Sequence, residues 1–224
     1  MNKKYYLFKM KMGPLTMVSF ILFFLMIGIT YLFGYIESIN YVLNMNIFLL
    51  LIIYFAYLFL HELLHSLAYV IYGGKYNKIT YGISLELGVL YCLCKQNISK
   101  KNILHSLMYP FIFIGIITYI ISIIFNLPIL LWLSIFNISG CSGDIIMFIF
   151  ISRLKNIEFS EMDDPISFAI YSKNDVSKIS HYGLEYIGEK VKIERNDFTK
   201  IKVSKQSYYI LAIMIILSIL FSIL

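Results

Sequence analysis

Two histidines and a glutamate interrupt the apolar stretch YLFLHELLHSLAYV, residues 57–70. His61 and His65 are four residues apart, and Glu62 lies between them. On a helix, side chains at this spacing project from one face, so both imidazoles can bind one divalent metal ion such as Zn²⁺. Glu62 is then close enough to act as a base toward a water molecule that the metal activates. The pattern predicts a metal site with two histidine ligands and a catalytic glutamate.

The apolar surroundings decide how this pattern is interpreted. In a soluble helix, the same five-residue pattern arises by chance on a solvated face. Here the ionisable residues that lie well inside apolar spans are His61, Glu62, His65 and Asp144. Burying an unpaired carboxylate or imidazole costs several kcal/mol, so such a cluster within a membrane indicates a functional site.

Two carboxylates compete for the place of a third ligand, which catalytic zinc sites normally have. Asp144 is predicted to lie about 10 Å from the end of its span, at the depth expected for His65 from the helical rise. Glu86 follows His65 by 21 residues, a separation found in some soluble zincins. Those enzymes carry this glutamate on a helix, whereas Glu86 stands in a glycine-broken segment. We therefore favour Asp144 and keep Glu86 as the alternative.

The chain that positions these residues is strongly apolar. Of its 224 residues, 59% are hydrophobic and 14% charged, and the mean hydropathy is +0.77. These values are typical of polytopic membrane proteins. Five runs can cross a hydrocarbon core of roughly 30 Å, namely residues 14–36, 47–72, 103–125, 128–151 and 207–224. The predicted fold is an all-α polytopic membrane protein of about five transmembrane helices with a small strand-containing cytoplasmic region.

The positive charges indicate the orientation of these spans. All 19 Lys and Arg residues fall in three segments, which are the N-terminus before residue 14, residues 75–101 and residues 153–205. With five spans these segments share one side, and the positive-inside rule places that side in the cytoplasm. The prediction is a multi-pass protein of the cell membrane with a cytoplasmic N-terminus and an external C-terminus. The net charge of +6 therefore reports orientation and attraction to anionic lipid rather than nucleic-acid binding.

The polar segments divide the chain into three parts. Residues 73–102 are predicted to form a strand-like loop, in which Gly73-Gly74 ends the second span and residues 79–93 form short strands or a hairpin. Alternating residues on either side of Arg195-Asn196-Asp197 predict a second hairpin. The three parts are a membrane core, a small cytoplasmic region packed against it and a C-terminal transmembrane helix, at residues 1–151, 152–206 and 207–224.

These motifs resemble those of membrane metallopeptidases. The histidine motif followed by an aspartate on a later span resembles the site-2 protease group of intramembrane zinc metalloproteases. The stretch from Asn137 to Asp144, NISGCSGD, is more similar to the bacterial "putative zincin peptidase" membrane family. Together with LHSLMYPFIFIG and DDPISFAIY, it extends the resemblance over residues 47–171.

The resemblance implies a role for each residue of the motifs. It implies His61, His65 and Asp144 as zinc ligands and Glu62 as the catalytic base. Asn137 would contact the substrate backbone or the oxyanion, and the alternative is an asparagine that only packs between helices. Site-2 proteases carry a proline-rich segment ending in Leu-Asp-Gly, whereas this chain has Ser-Gly-Asp. Two glycines, at positions 140 and 143, are expected to open the helix here and admit water.

The sequence thus predicts a zinc-dependent intramembrane metallopeptidase that hydrolyses peptide bonds of membrane-associated substrates. Its expected partners are a membrane protein or peptide substrate and the lipid bilayer, without nucleic acid. A non-proteolytic zinc-binding scaffold or sensor is the alternative, although metal binding alone does not require Glu62. An ion transporter is disfavoured because no inverted repeat is found.

Overall fold

The computed structural model describes residues 4–34, 47–84, 89–162, 166–179 and 181–190. Within these ranges the chain forms five helices and seven strands. The helices are α1 (Met12–Leu32), α2 (Ile47–Ile71), α3 (Lys100–Ile124), α4 (Pro128–Gly140) and α5 (Ser142–Arg153). The strands are β1 (Lys4–Met10), β2 (Ile79–Ser84), β3 (Val89–Cys94), β4 (Ile98–Ser99), β5 (Ile157–Glu161), β6 (Ser167–Ser172) and β7 (Leu184–Lys190). Glu86, the hairpin predicted around residues 195–197 and the span predicted at 207–224 lie outside the described residues.

The helices coincide with four of the predicted spans. By length and composition, α1, α2 and α3 can each cross a membrane, and α4 with α5 makes a fourth span if the two count as one broken helix. The break lies at Cys141, where the two helix axes are bent by 43°. The break in the helix expected near Gly140 and Gly143 is thus confirmed.

The prediction of an all-α fold is wrong. Strands make up 23% of the described residues, in a five-stranded antiparallel sheet of order β4-β5-β6-β1-β7 and a two-stranded sheet of β2 and β3. The N-terminal stretch KYYLFKM was not recognised as a strand from the sequence. It forms β1 and pairs with β6 on one side and β7 on the other. Its partners are more than 150 residues distant, so no local pattern reports the pairing.

The five-stranded sheet draws on three separate parts of the chain. Strand β1 precedes α1, β4 lies between α2 and α3, and β5 to β7 follow α5. Because β1 pairs with β6 and β4 pairs with β5, these three parts lie at the same end of the helices. They are the segments in which the sequence concentrates its positive charge.

An aromatic core attaches α5 to the sheet. Phe8 of β1, Phe150 of α5, Phe159 of β5 and Phe168 of β6 are at most 1% exposed. The rings of Phe8 and Phe150 meet edge to face with centroids 4.9 Å apart. Each buried phenylalanine contributes about 1.5–3 kcal/mol. The sheet thereby anchors the helix that carries Asp144, six residues before Phe150.

The end of α2 and the following hairpin agree with the sequence. The helix ends at Ile71, and Gly73 adopts φ +92°, a conformation that favours glycine. The N–H groups of Gly73 and Gly74 donate to the carbonyls of Val70 and Tyr69, so the predicted stop is confirmed. Strands β2 and β3 pair antiparallel, which confirms the predicted hairpin. The hairpin then packs against α2.

Candidate metal centre

The structure brings together the three predicted metal ligands. His61 and His65 lie one turn apart on α2, and Asp144 lies in the first turn of α5. The two Nε2 atoms are 3.1 Å apart, and each lies 3.5 Å from Oδ2 of Asp144. Three ligand atoms from two helices therefore surround a single point.

These distances fit a divalent ion. Zinc bonds to nitrogen and oxygen are about 2.0–2.1 Å long, so neighbouring ligand atoms of a zinc tetrahedron are about 3.3–3.4 Å apart. The separations of 3.1 Å and 3.5 Å lie on either side of this value. Two imidazoles and one carboxylate are also the donor set of several catalytic zinc sites. We conclude that the residues present fit zinc.

Hydrogen bonds on the far side of each imidazole determine which nitrogen faces Asp144. Asn137 donates from Nδ2 to the carbonyl of Pro110 over 3.1 Å, which turns its Oδ1 toward His61. Nδ1 of His61 therefore donates to this Oδ1 over 2.8 Å. Nδ1 of His65 likewise donates to the carbonyl of Ser106 over 3.0 Å. Such outer bonds hold metal-binding histidines in the required tautomer.

The consequence is a cluster of acceptors without a donor. With Nδ1 protonated, the neutral rings of His61 and His65 direct their Nε2 lone pairs toward each other and toward the carboxylate of Asp144. Three acceptors this close repel one another unless a metal ion or a proton lies between them. The arrangement of hydrogen bonds is thus compatible with a bound metal ion.

Pro110 explains why the carbonyl of Ser106 is available. In a regular helix this carbonyl would accept from the N–H four residues later, but proline has none. The Ser106 carbonyl is therefore free to hold His65. This role was not predicted from the sequence, although a proline within the third span was a visible signal.

The helix beyond Pro110 brings α4 close to α3. Residues Phe111–Ile117 form a π-helix, a feature that is common at functional sites. At Gly115, a Cβ atom would lie 3.0 Å from Cγ1 of Ile138 and 3.3 Å from Nδ2 of Asn137. Glycine therefore permits the close approach that lets Asn137 reach the carbonyl of Pro110.

Glu62 lies beside the cluster. It follows His61 on α2, lines the same cavity and accepts a backbone hydrogen bond from Cys92 of β3. Asp144 gains support from its position in the first turn of α5, because the N-terminal end of a helix stabilises negative charge. The remaining histidines lie elsewhere, with His105 stacked on Tyr72 and His181 against Phe150.

A cavity of about 410 Å³ opens onto the cluster. Side chains from α1, α2, α4 and α5 line it on the helical side, and residues of β3, β5 and β6 line it on the strand side. Its described lining includes three carboxylates, those of Glu62, Asp144 and Glu161, and neither lysine nor arginine. The volume is within the range of small-molecule and peptide sites.

Glu161 is a second residue whose role was not predicted from the sequence. It ends β5 and accepts a hydrogen bond of 2.6 Å from the Tyr69 hydroxyl and another from the backbone N–H of Cys94. Burial raises the pKa of its carboxyl to about 7. A lone glutamate 96 residues after His65 gives no local signal, and only the packing of β5 against β3, which itself packs against α2, brings it here.

The site has the features of a zincin-type metallopeptidase, with two histidines one helical turn apart, a glutamate beside them and a third ligand from elsewhere. Residues 54–158 match a family model described as "putative zincin peptidase". The match covers just under half of the chain and includes all five predicted site residues. It supports a metallopeptidase that uses zinc. No curated protein and no solved structure matches the chain.

Proposed function

We propose that the protein is a zinc-dependent intramembrane metallopeptidase, similar to site-2 proteases, that hydrolyses peptide bonds of membrane-associated substrates. The observation that carries the proposal is the convergence of His61, His65 and Asp144, whose ligand atoms lie within 4.8 Å of one another beside Glu62. The apolar helices that hold these residues support a site within the membrane.

Each residue has a defined task in this proposal. His61, His65 and Asp144 would hold Zn²⁺, which when bound supplies a water molecule of lowered pKa and polarises the scissile carbonyl. Glu62 accepts the proton of the attacking water and passes it to the leaving amine. Asn137 keeps the ring of His61 in the ligand tautomer. Its predicted contact with substrate stays a prediction, since its amide already bonds His61 and Pro110.

An extended substrate suits the strand side of the cavity. The N–H groups of Cys92 and Cys94 bond Glu62 and Glu161, so they lie on the edge of β3 that faces away from β2. The two glutamates occupy these N–H groups, so a peptide that adds to this edge would use the other main-chain groups of β3. A helical substrate hides its carbonyls, so it would unwind before it lies along β3.

Metal content and cleavage together test the proposal. We expect near-stoichiometric zinc in the detergent-purified wild type and in Glu62→Gln, and loss of zinc in Asp144→Ala. Glu86→Ala is the matched control and should retain zinc. Cleavage of a membrane-peptide library by the wild type should disappear in Glu62→Gln and Asp144→Ala.

Two outcomes would contradict the proposed function. Absence of zinc from the wild type, under conditions that prevent metal loss during purification, would rule out the peptidase. Bound zinc without any cleavage that depends on Glu62 would indicate the zinc-binding scaffold or sensor instead.

A further inference from the structure

Glu161 is a buried carboxylate that the proposed reaction does not use. Its two oxygens accept from the Tyr69 hydroxyl and from the N–H of Cys94, which hold the side chain in place on the wall of the cavity. Both donors are neutral, and no ion pair to a lysine or arginine of the described residues is present. The carboxylate therefore has fixed geometry and no counter-charge in the part of the chain that the structure describes.

The other charges of the cavity balance without Glu161. A zinc ion held by two neutral imidazoles carries two positive charges, and the carboxylates of Asp144 and Glu62 match them. The charge of Glu161 remains unmatched, and an unpaired buried charge is costly. A positively charged ligand group in the cavity would remove that cost.

The position of Glu161 relative to the metal ligands indicates which substrate residue it can contact. Its partner Tyr69 follows His65 by four residues, or roughly 6 Å along the axis of α2, and Glu161 and His65 line the same cavity. An extended peptide advances about 3.3 Å per residue. A side chain that meets Glu161 therefore belongs to a residue one or two positions from the bond at the metal site.

We propose that Glu161 forms a subsite for a lysine or arginine side chain of the substrate, one or two residues from the scissile bond. Glu161 lies on the strand side of the cavity, at the end of the helices where this chain concentrates its own positive charge. Membrane proteins in general carry lysine and arginine at the cytoplasmic ends of their spans. The substrate class is thus a membrane segment with a basic residue at its cytoplasmic end. This inference rests on the proposed function.

Binding without turnover tests the subsite. The protein is the zinc-loaded wild type in phosphatidylcholine vesicles at about pH 8, above the pKa of about 7 that burial gives Glu161, and binding is measured in the cold before turnover begins. The probes are fluorescent leucine-alanine membrane peptides that end in Lys-Lys or in Gln-Gln. We expect the Lys-Lys peptide to bind about tenfold more tightly or better, because it alone supplies a charge partner. Adding Glu161→Gln should abolish this preference.

Glu158→Gln is the matched control, because it removes an acid from the same strand outside the cavity lining. It should keep the preference. Equal binding of the two peptides, or a preference that survives Glu161→Gln, would overturn the inference. A third peptide ending in Glu-Glu tests the charge without any change at Glu161, and it should bind more weakly than the Gln-Gln peptide.

The test separates this inference from the proposed function. A preference for Lys-Lys that depends on Glu161, in a protein whose wild type cleaves nothing, would contradict only the peptidase. Cleavage that depends on Glu62 but is indifferent to the charge of the peptide would contradict only the subsite.

Discussion

The hydrogen bond from Nδ1 of His61 to Oδ1 of Asn137 orients the ring for metal binding. Asn137→Leu removes the acceptor at similar size and leaves a buried N–H unpaired, at a cost of about 1–3 kcal/mol. We expect zinc affinity to fall about 10–100-fold, as is typical when an outer partner of a metal-binding histidine is lost. Competition with a chelator of known affinity measures the change.

Ser134→Ala is the control for this substitution. Ser134 is buried on the same helix, but its hydroxyl donates only to the carbonyl of Leu131 within α4. Zinc affinity should not change in this variant. Unaltered affinity in Asn137→Leu would show that the bond to His61 does not position the ligand.

Glu161 gives the protein a pH-dependent stability of defined sign. Its carboxyl has an ordinary pKa of 4.5 and a pKa of about 7 in the folded chain. Between these values the folded state binds more protons than the unfolded state, so stability falls as pH rises through this window. The loss is at most about 3 kcal/mol, from about 1.4 kcal/mol per pKa unit. The melting temperature of the wild type should therefore fall relative to Glu161→Gln between about pH 5 and pH 8.

Asp175→Asn controls for a general effect of pH. Hydrogen bonds from Ser177 lower the pKa of the Asp175 carboxyl, so it is ionised throughout this window. The difference in melting temperature between this variant and the wild type should not change with pH. Parallel curves for the wild type and Glu161→Gln would contradict the assigned pKa.

Local spacing explains which site residues the sequence could predict. His61, Glu62 and His65 fall within about one helical turn, and Asp144 stands out as an ionisable residue in an apolar span. The contribution of Glu161 depends on β5 packing against β3, which no short pattern encodes. The bond between His61 and Asn137 likewise depends on how closely two helices approach.

At the scale of the helix, Pro110 makes α3 irregular where it meets His65. Pro110→Ala restores an N–H that competes with His65 for the carbonyl of Ser106. A more regular helix is ordinarily more stable. We expect thermal stability to stay the same or rise while zinc affinity falls about tenfold. Thermal unfolding and chelator competition on the same preparation measure both quantities.

Pro128→Ala is the control for Pro110→Ala. Pro128 occupies the first turn of α4, where its missing N–H leaves no carbonyl unpaired. Zinc affinity should be unaffected there. If Pro110→Ala kept full affinity, the free carbonyl of Ser106 would not be what holds His65.

The helices and strands differ in how far the sequence predicts them. Long apolar runs located α1 to α5 within a few residues, and the glycines near Cys141 indicated the break. The β2–β3 hairpin is local and was also predicted. Strand β1 was not, because it is a short segment whose partners β6 and β7 follow four spans later.

At the scale of the whole molecule, the sheet and the helices depend on each other. Helices α1 and α2 separate β1 from the later strands, and α3, α4 and α5 separate β4 from β5. The sheet can therefore form only if each group of helices returns the chain to the same end. The Phe8–Phe150 contact then fixes the position of α5 along its axis relative to the sheet. This in turn fixes the position of Asp144 opposite the histidines. The assembly of the metal centre therefore requires that α1 to α5 all return the chain to the correct ends.

The orientation of the molecule is a prediction that labelling can test. We expect the end of the helices with the sheet to be cytoplasmic, because it carries the lysine-rich segments. Lys173 is exposed at the sheet end, and Leu127, 44% exposed, connects α3 to α4 at the other end. The three native cysteines are buried and give little background. A membrane-impermeant maleimide should label Leu127→Cys in sealed right-side-out vesicles and Lys173→Cys only in inverted ones. The reverse pattern would place the sheet outside and would exclude a cytoplasmic route for water to the metal centre.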